Sequence, residues 1–506
     1  MRSAPAQPET AERARPLDVL RRWTHAGDPV VAGRVAISTR DGDGWTPLTY
    51  GALHRRTAAM ADALTSAGVA PGDTVALLAE PGGDWAVAFL GILRAGAVAV
   101  LLDVRSTDEE LAALCGRSHL GAAVVTPSLA HRWPDPSLPV LAPSVVGAAG
   151  GTEPSRTVDD PAVLVWTSGT TGQPKGVTLS LANLAYVVGR SSEVQAAGPD
   201  ARWLSVLPPN HLLELCCGLL PGLAAGSTTF VARSIVPHEL WAIVDSCRVS
   251  RMVVVPMVLR LLRRHLEPLV AAGDFAAGTL EAIYCGGAPL DAEMVAFFDR
   301  LGVGVYQGYG LTEAAPVVSM NSPGRNRAGS VGPPLPGTTV RIGDDGEILV
   351  RGPGVMLRYW QDEAATRDTV DADGWLHTGD LGHLDGDGYL FVTGRSKSLI
   401  VLDNGKKVQP EEVEIALLRG DLFAEVCVVG VAGANGGEQV GAVVVPVDGT
   451  SMSQEQAVEE VRRLSTPLSR FKRPVIVHVH HGELPRTAKR TLRRDAVARL
   501  LESVGP

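Results

Sequence analysis

With 506 residues, the chain is too long for one compact core, and at roughly 100–200 residues per domain it divides into several lobes. Apolar residues make up 45% and charged residues 20%, the balance of a globular protein. A formal charge of −9 argues against a general nucleic-acid binder, which presents a basic surface.

The opening "MRSAPAQPETAERARPLDVL" has no apolar run of the kind a signal peptide needs, and residues 1–20 read as a disordered lead-in. "YGALHRRTAAMADALTSAG" (50–68) has the spacing of an amphipathic helix stopped at Gly68, and "DTVALLA" (73–79) is a strand after a Pro-Gly-Asp turn. The most apolar stretch, 85–103, is broken by Arg94, Gly96 and Asp103. A membrane span needs ~20 largely uncharged residues, so this stretch predicts a core helix at 85–94 and a strand at 97–102. Apolar, β-branched runs at 122–127, 162–169, 227–232 and 251–256 continue the strand theme. The alternation predicts an α/β fold, with a large N-terminal domain (21–395) of parallel-type sheets layered with helices.

Residues 330–395 change character. "GEILVRG" (346–352) and "GYLFVTGR" (388–395), set between Asp/Gly turns, predict a small β-barrel-like subdomain. Residues 396–506 return to alternation: helices at 410–418 and 454–464, strands at 425–431, 439–447 and 475–480, a small C-terminal α+β domain. Six cysteines, at 115, 216, 217, 247, 285 and 427, show no metal-ligand spacing and read as reduced, mostly buried thiols of a cytoplasmic protein.

"VLVWTSGTTGQPKGV" (163–177) carries the first chemistry. A strand runs into Thr167, Ser168, Gly169, Thr170, Thr171 and Gly172, then Lys175. Glycines let backbone N–H groups approach an anion, hydroxyls add donors, and the lysine adds charge beside a polyphosphate. The string is not G-x-x-x-x-G-K-[ST], so it is a different phosphate cradle. It resembles the signature of the acyl-adenylate-forming superfamily of acyl-CoA synthetases and AMP-dependent ligases. "LPPNHLLE" (207–214), "YCGGAPL" (284–290), "YQGYGLTEA" (306–314), "WLHTGDLG" (375–382) and "GRSKSLIVLDNGKKVQPEEVE" (394–414) agree with it in order and spacing. "YGLTEAAPVVSMNSPGRNRAGSVGPPLPG" and the Asn-Gly-Lys-Lys loop look most like the long-chain fatty acyl-CoA synthetase branch.

The resemblance implies that a carboxylate attacks the α-phosphate of ATP, giving acyl-AMP and pyrophosphate. A thiol, from coenzyme A or a carrier-protein phosphopantetheine, then takes the acyl group. It implies Glu313 as the Mg²⁺ ligand, Tyr309 against the adenine and Thr312 on the α-phosphate, within Gln307, Gly308, Tyr309 and Gly310 of the same motif. Gly287, Ala288 and Pro289 would border the adenine, and Asp380 and Arg395 would hold the ribose. His211 would border the acyl pocket. Lys397 would be the hinge to a mobile C-terminal domain, and Gly405 would lie beside the thiol tunnel.

The tail departs from the pattern. The branch ends in a string like P-R-T-x-T-x-K-V-K-R, whose lysine bridges carboxylate and α-phosphate. In "LPRTAKRTLRR" (484–494) that position is Thr491, and the only lysine, Lys489, comes two residues early. Lys489 remains the candidate catalytic lysine, and a basic cluster (Arg470, Lys472, Arg473, Arg486, Arg490, Arg493, Arg494) suits coenzyme A phosphate or an acidic carrier protein. Two other readings stay open: activation of an unusual acid such as nitrite for attack by an amine, as in a diazotase-like enzyme, or a degenerate nucleotide- or acyl-binding homologue.

Overall fold

The computed structural model describes residues 15–42, 44–144, 156–168, 174–273, 275, 277–432, 438–447, 451–486 and 492–502. Two large sheets form the N-terminal part. One has eight strands, in the order Ser319–Met320, Gly304–Tyr309, Ala282–Cys285, Arg251–Val254, Arg202–Ser205, Thr228–Val231, Val35–Asp41 and Gly44–Thr49. Its interior pairings are parallel and both edge pairings antiparallel. The other has seven: Arg358–Tyr359, Pro174–Ser180, Pro161–Ser168, Val98–Leu101, Thr74–Leu78, Leu120–Val125 and Val140–Leu141. Central strands such as Thr74–Leu78 are buried along their whole length, as parallel strands covered on both faces must be.

The main core contains helices Tyr50–Ser66, Gly83–Arg94 and Leu181–Gln195. Gly83–Arg94 is buried nearly all round, as the run at 85–94 predicts, and no helix among the described residues is long and apolar enough to cross a membrane. Gly91 lets this helix close on Tyr50–Ser66: a Cβ there would collide with Met60. Hydroxyl caps start several helices, with full capping boxes at Thr107/Glu110, Ser180/Asn183 and Ser453/Gln456.

Part of the stretch expected as a lead-in, from residue 16, is helical; residues 1–14 lie outside the described residues. Pro16 opens a helix, Pro16–Thr24, that buries Val19, Leu20 and Trp23 in the main core. Its apolar positions are separated by charged residues, which hid it beside the Pro/Ala/Glu-rich start. Trp23 is 3% exposed, so Trp23→Ala is expected to lower stability by ~3–5 kcal/mol in urea melts, with unchanged m-value.

Residues 339–395 form a four-stranded antiparallel sheet in the order Thr339–Ile342, Glu347–Arg351, Leu376–Leu384, Leu390–Arg395. Its last strand is also hydrogen-bonded through Leu390 to the backbone of Val331 and Gly332. Beyond 396, strands Phe423–Ala432, Glu438–Pro446 and Ile476–Val479 build a small sheet with helices Pro410–Leu417, Gln454–Ser465 and Arg494–Glu502, around apolar clusters of their own. This part touches the preceding one at Arg419–Asp291 (2.9 Å) and through Arg264, which donates to the Phe423 carbonyl (3.1 Å). All six cysteines are free and buried.

Candidate active site

The 286–289, 307–313 and His211 segments follow the C-terminal ends of parallel strands of the eight-stranded sheet, where open α/β sheets bind ligands. Lys175 lies on the seven-stranded sheet, and Asp380 and Arg395 on the four-stranded one. Strand Ala282–Cys285 ends in Gly286 and Gly287, followed by Ala288 and Pro289 at the surface. Gly287 has φ +86°, a left-handed turn that glycine adopts without strain. The neighbouring strand Gly304–Tyr309 carries Gln307, Gly308 and Tyr309, then Gly310, where a Cβ would run into the Pro316 carbonyl. The chain therefore folds back tightly and presents Thr312 and Glu313 on one short 3₁₀ turn.

Glu313 is tied to the phosphate-loop lysine through a residue that no motif singled out. Tyr359 Oη donates to Glu313 Oε1 at 2.8 Å, and Lys175 Nζ lies over the Tyr359 ring, 4.6 Å from its centroid. Burial, then the Glu313 charge beside it, pushes the Tyr359 phenol up, so it stays a donor. Lys175 is itself fixed on strand Pro174–Ser180 opposite Thr167, whose hydroxyl donates to the Lys175 carbonyl at 3.1 Å. Gly169, Thr170, Thr171 and Gly172 lie outside the described residues, as does the side chain of Ser168.

The expected ribose and adenine residues form a second group. Asp380, 3% exposed, receives Tyr309 Oη at 2.7 Å and Arg395 Nε at 2.8 Å. Asp380 and Arg395 face each other across strands Leu376–Leu384 and Leu390–Arg395, which sets their meeting by register. Tyr309 is partly buried against the neighbouring core, and desolvation followed by the Asp380 charge holds its phenol protonated.

A third group surrounds His211, the N-cap of helix Leu212–Glu214. Its Nε2 lies 3.1 Å from Arg105 and 3.5 Å from the buried Asp103, which Arg105 also grips at 3.0 and 2.8 Å. Burial raises the Asp103 carboxyl, but hydrogen bonds from His211 and Arg105 outweigh it and hold the group well below the usual carboxylate range. Asp103 and Arg105 escaped the sequence reading because their partner is over a hundred positions away.

Two expected residues belong to the boundary with, and the start of, the C-terminal part. Lys397 is exposed on the 3₁₀ turn Ser396–Ser398, and Gly405 sits at φ +75° in an exposed hairpin turn with nothing within 4 Å of a Cβ built there. Lys489, Arg490 and Thr491 lie outside the described residues.

The basic cluster read from the tail needs correction. Lys472 pairs with Glu412 (2.6 Å), Arg473 caps the Leu468 and Thr466 carbonyls, and Arg486 pairs with Glu425 (2.7 Å). Arg493 pairs with Asp495 (3.1 Å), and Arg494 with Glu411 and Glu414 (3.2 and 2.5 Å). Glu411, Glu412, Glu414 and Glu425 come from elements distant in sequence, so Lys472, Arg486 and Arg494 hold the C-terminal fold together rather than forming an open basic face.

A divalent cation fits this donor set in one way. Among the described residues no three His, Cys, Asp or Glu side chains converge on a point. Mg²⁺, however, is usually held by one or two carboxylates plus substrate phosphates, and Glu313 next to Lys175 offers one.

Residues 26–360 match the AMP-binding enzyme family, and residues 397–504 match the AMP-binding enzyme C-terminal domain. A feruloyl-CoA synthase of Amycolatopsis sp is 34% identical over 90% of this chain and 94% of its own length. A long-chain-fatty-acid–CoA ligase of Mycobacterium bovis is 31% identical over 76% of each chain. ATP-bound MatB from Rhodopseudomonas palustris superposes with a TM-score of 0.83, at 26% identity over 96% of this chain and 99% of that one. The chain belongs to the AMP-binding enzyme family.

Proposed function

We propose that this enzyme is an AMP-forming acid–CoA ligase whose substrate is a carboxylic acid with an apolar body, aromatic or fatty. A carboxylate oxygen attacks the α-phosphorus of ATP, the bond to the β-phosphate breaks, and pyrophosphate leaves. The sulfur of coenzyme A, giving up its proton, then attacks the acyl carbon and AMP leaves. The observation that carries this reading is the joining of Lys175, Tyr359 and Glu313, which puts a cation and a metal-competent carboxylate on either side of one phenol.

In this reading Glu313 holds Mg²⁺, which would neutralise phosphate charge as pyrophosphate departs. Lys175 adds a positive charge at the same end. Asp380 accepts hydrogen bonds from the ribose, sharing its oxygens with Tyr309 and Arg395, and Gly287 leaves the backbone open to the base. His211, steadied by Asp103 and Arg105, borders the acid. Lys397, at the boundary with the C-terminal domain, and Gly405, in an exposed turn of it, serve the thiol step after that domain turns. The feruloyl-CoA and fatty-acyl-CoA relatives support a carboxylic acid over nitrite, and support coenzyme A as acceptor over a carrier protein.

The reading is tested by incubating the enzyme with ATP, Mg²⁺ and ferulate, indoleacetate or a fatty acid, with and without coenzyme A. Acid-dependent AMP and pyrophosphate are expected, with a thioester only when coenzyme A is present. Tyr359→Phe removes one hydrogen bond to a charged group, ~1.5–3 kcal/mol, so AMP release should slow about 10–150-fold without loss of fold.

A further inference from the structure

Three carboxylates are buried among the described residues, and one differs from the others. Asp103 and Asp380 each meet an arginine. Glu214, 1% exposed, meets none: the Ser205 hydroxyl and the Leu207 backbone face it, and its Oε2 has no hydrogen-bond partner. It closes the short helix Leu212–Glu214 that His211 caps and leads into the π-turn Leu215–Leu219.

The surroundings are built for this side chain. A Cβ at Gly218 would stand 2.6 Å from Glu214 Oε1, so only glycine leaves the carboxyl its place. Val253, from the adjacent strand, closes the same space. The carboxyl thus sits enclosed among three pieces: the end of strand Arg202–Ser205, the start of the 207–211 loop, and the π-turn. Leu213, beside it, lies against Gly286 at the mouth of the Gly287 turn.

We propose that Glu214 is a positioning residue for the acid substrate, its carboxyl fixing the 207–211 loop and with it His211 and the Leu213 wall. This rests on the ligase reading. The carboxyl works in its protonated form, because a charge here would be buried with no cation beside it. Among the described residues, a titratable group facing it is Cys217 on its own turn, a thiol that burial, then Glu214, pushes up to about 12. Ser205 and Val253, from the strands packed against it, carry no charge. Burial raises the Glu214 carboxyl from 4.5 to about 8. The folded state therefore holds a proton the unfolded chain lacks, and the associated stability is complete below the unfolded value and lost as pH climbs to about 8. Above that point the carboxyl ionises and the loop loosens.

The test follows AMP release with the best acid of the panel between pH 6.5 and 9.5, for wild type, Glu214→Gln and Glu214→Ala. Wild type should lose acid affinity above the Glu214 transition, with acid KM rising about tenfold per pH unit while ATP KM holds within twofold. Glu214→Gln keeps the size and polarity of the side chain but cannot ionise, so acid KM should stay within threefold of wild type at neutral pH and remain flat into the alkaline range. Glu214→Ala should raise acid KM tenfold or more at neutral pH. An alkaline rise in Glu214→Gln equal to that of wild type overturns the proposal, and so does a Glu214→Gln variant that loses acid affinity at neutral pH. If Glu214→Ala does not fold, the Gln variant decides alone. Wild type that cleaves ATP with no acid at all removes the ligase reading and this proposal with it, whereas turnover with a shared alkaline limb removes only the proposal.

Discussion

Asp380→Ala is expected to reduce adenylate formation roughly 10²–10³-fold, as removal of a preorganised polar partner does at other enzyme sites. The carboxylate is 3% exposed and receives Tyr309 at 2.7 Å and Arg395 at 2.8 Å. Its loss removes the acceptor of the half-buried Tyr309 hydroxyl, a hydrogen bond to a charged group worth ~1.5–3 kcal/mol. It also frees Arg395 to swing into solvent and takes away the two-oxygen acceptor proposed for the ribose. Asp380→Asn retains the shape and one acceptor and should fall between wild type and Ala. Arg395→Ala should cost less, because its side chain is 59% exposed and solvent screens the pair. Steady-state AMP release, with ATP KM measured separately and thermal unfolding as the control for fold, checks all three. Equal losses for the Arg395 and Asp380 variants would contradict the assignment of Asp380 as the anchor.

Glu313→Gln is expected to lose on the order of 10²–10³-fold in adenylate formation, several kcal/mol of the charge stabilisation a bound Mg²⁺ provides. The variant retains an acceptor for Tyr359, so the internal hydrogen bond of 2.8 Å survives while the negative charge does not. Tyr359→Phe has the opposite effect, keeping the charge and removing the bond. A large loss in the first and a smaller one in the second assigns the role to charge. Mn²⁺ binding, read by electron paramagnetic resonance in the presence of a non-hydrolysable ATP analogue, provides a signal independent of turnover. It should weaken in Glu313→Gln and persist in Tyr359→Phe. Unchanged Mn²⁺ binding in Glu313→Gln would move the metal away from this residue.

The elements and the partners of the site residues were legible to different degrees. Strands such as Thr74–Leu78 and Phe423–Ala432 showed themselves because burial on one or both faces imposes a local apolar pattern. Helix Pro16–Thr24 did not, since its apolar positions make sense only against Tyr50–Ser66 and Gly83–Arg94, brought beside it by the fold. The phosphate-loop residues, Glu313, Asp380 and Arg395 were readable as types in ordered motifs. What each touches was not. Tyr359 reaches Glu313 across 46 positions and Arg105 reaches His211 across 106, contacts fixed by strand order rather than by neighbouring sequence. The tail illustrates the same limit from the other side. Its run of arginines and lysine looked like an open basic face, yet Lys472, Arg473, Arg486, Arg493 and Arg494 each have an acidic or carbonyl partner.

The central claim is that the enzyme activates a carboxylic acid as its adenylate and passes it to a thiol. The most direct measurement is mass-resolved analysis of one reaction mixture of enzyme, Mg-ATP and an aromatic or fatty acid, before and after coenzyme A is added. The structure predicts acyl-AMP and pyrophosphate before the addition, and AMP with the acyl-CoA thioester after it. ADP and orthophosphate as the products, or ATP cleavage indifferent to every carboxylic acid offered, would contradict it.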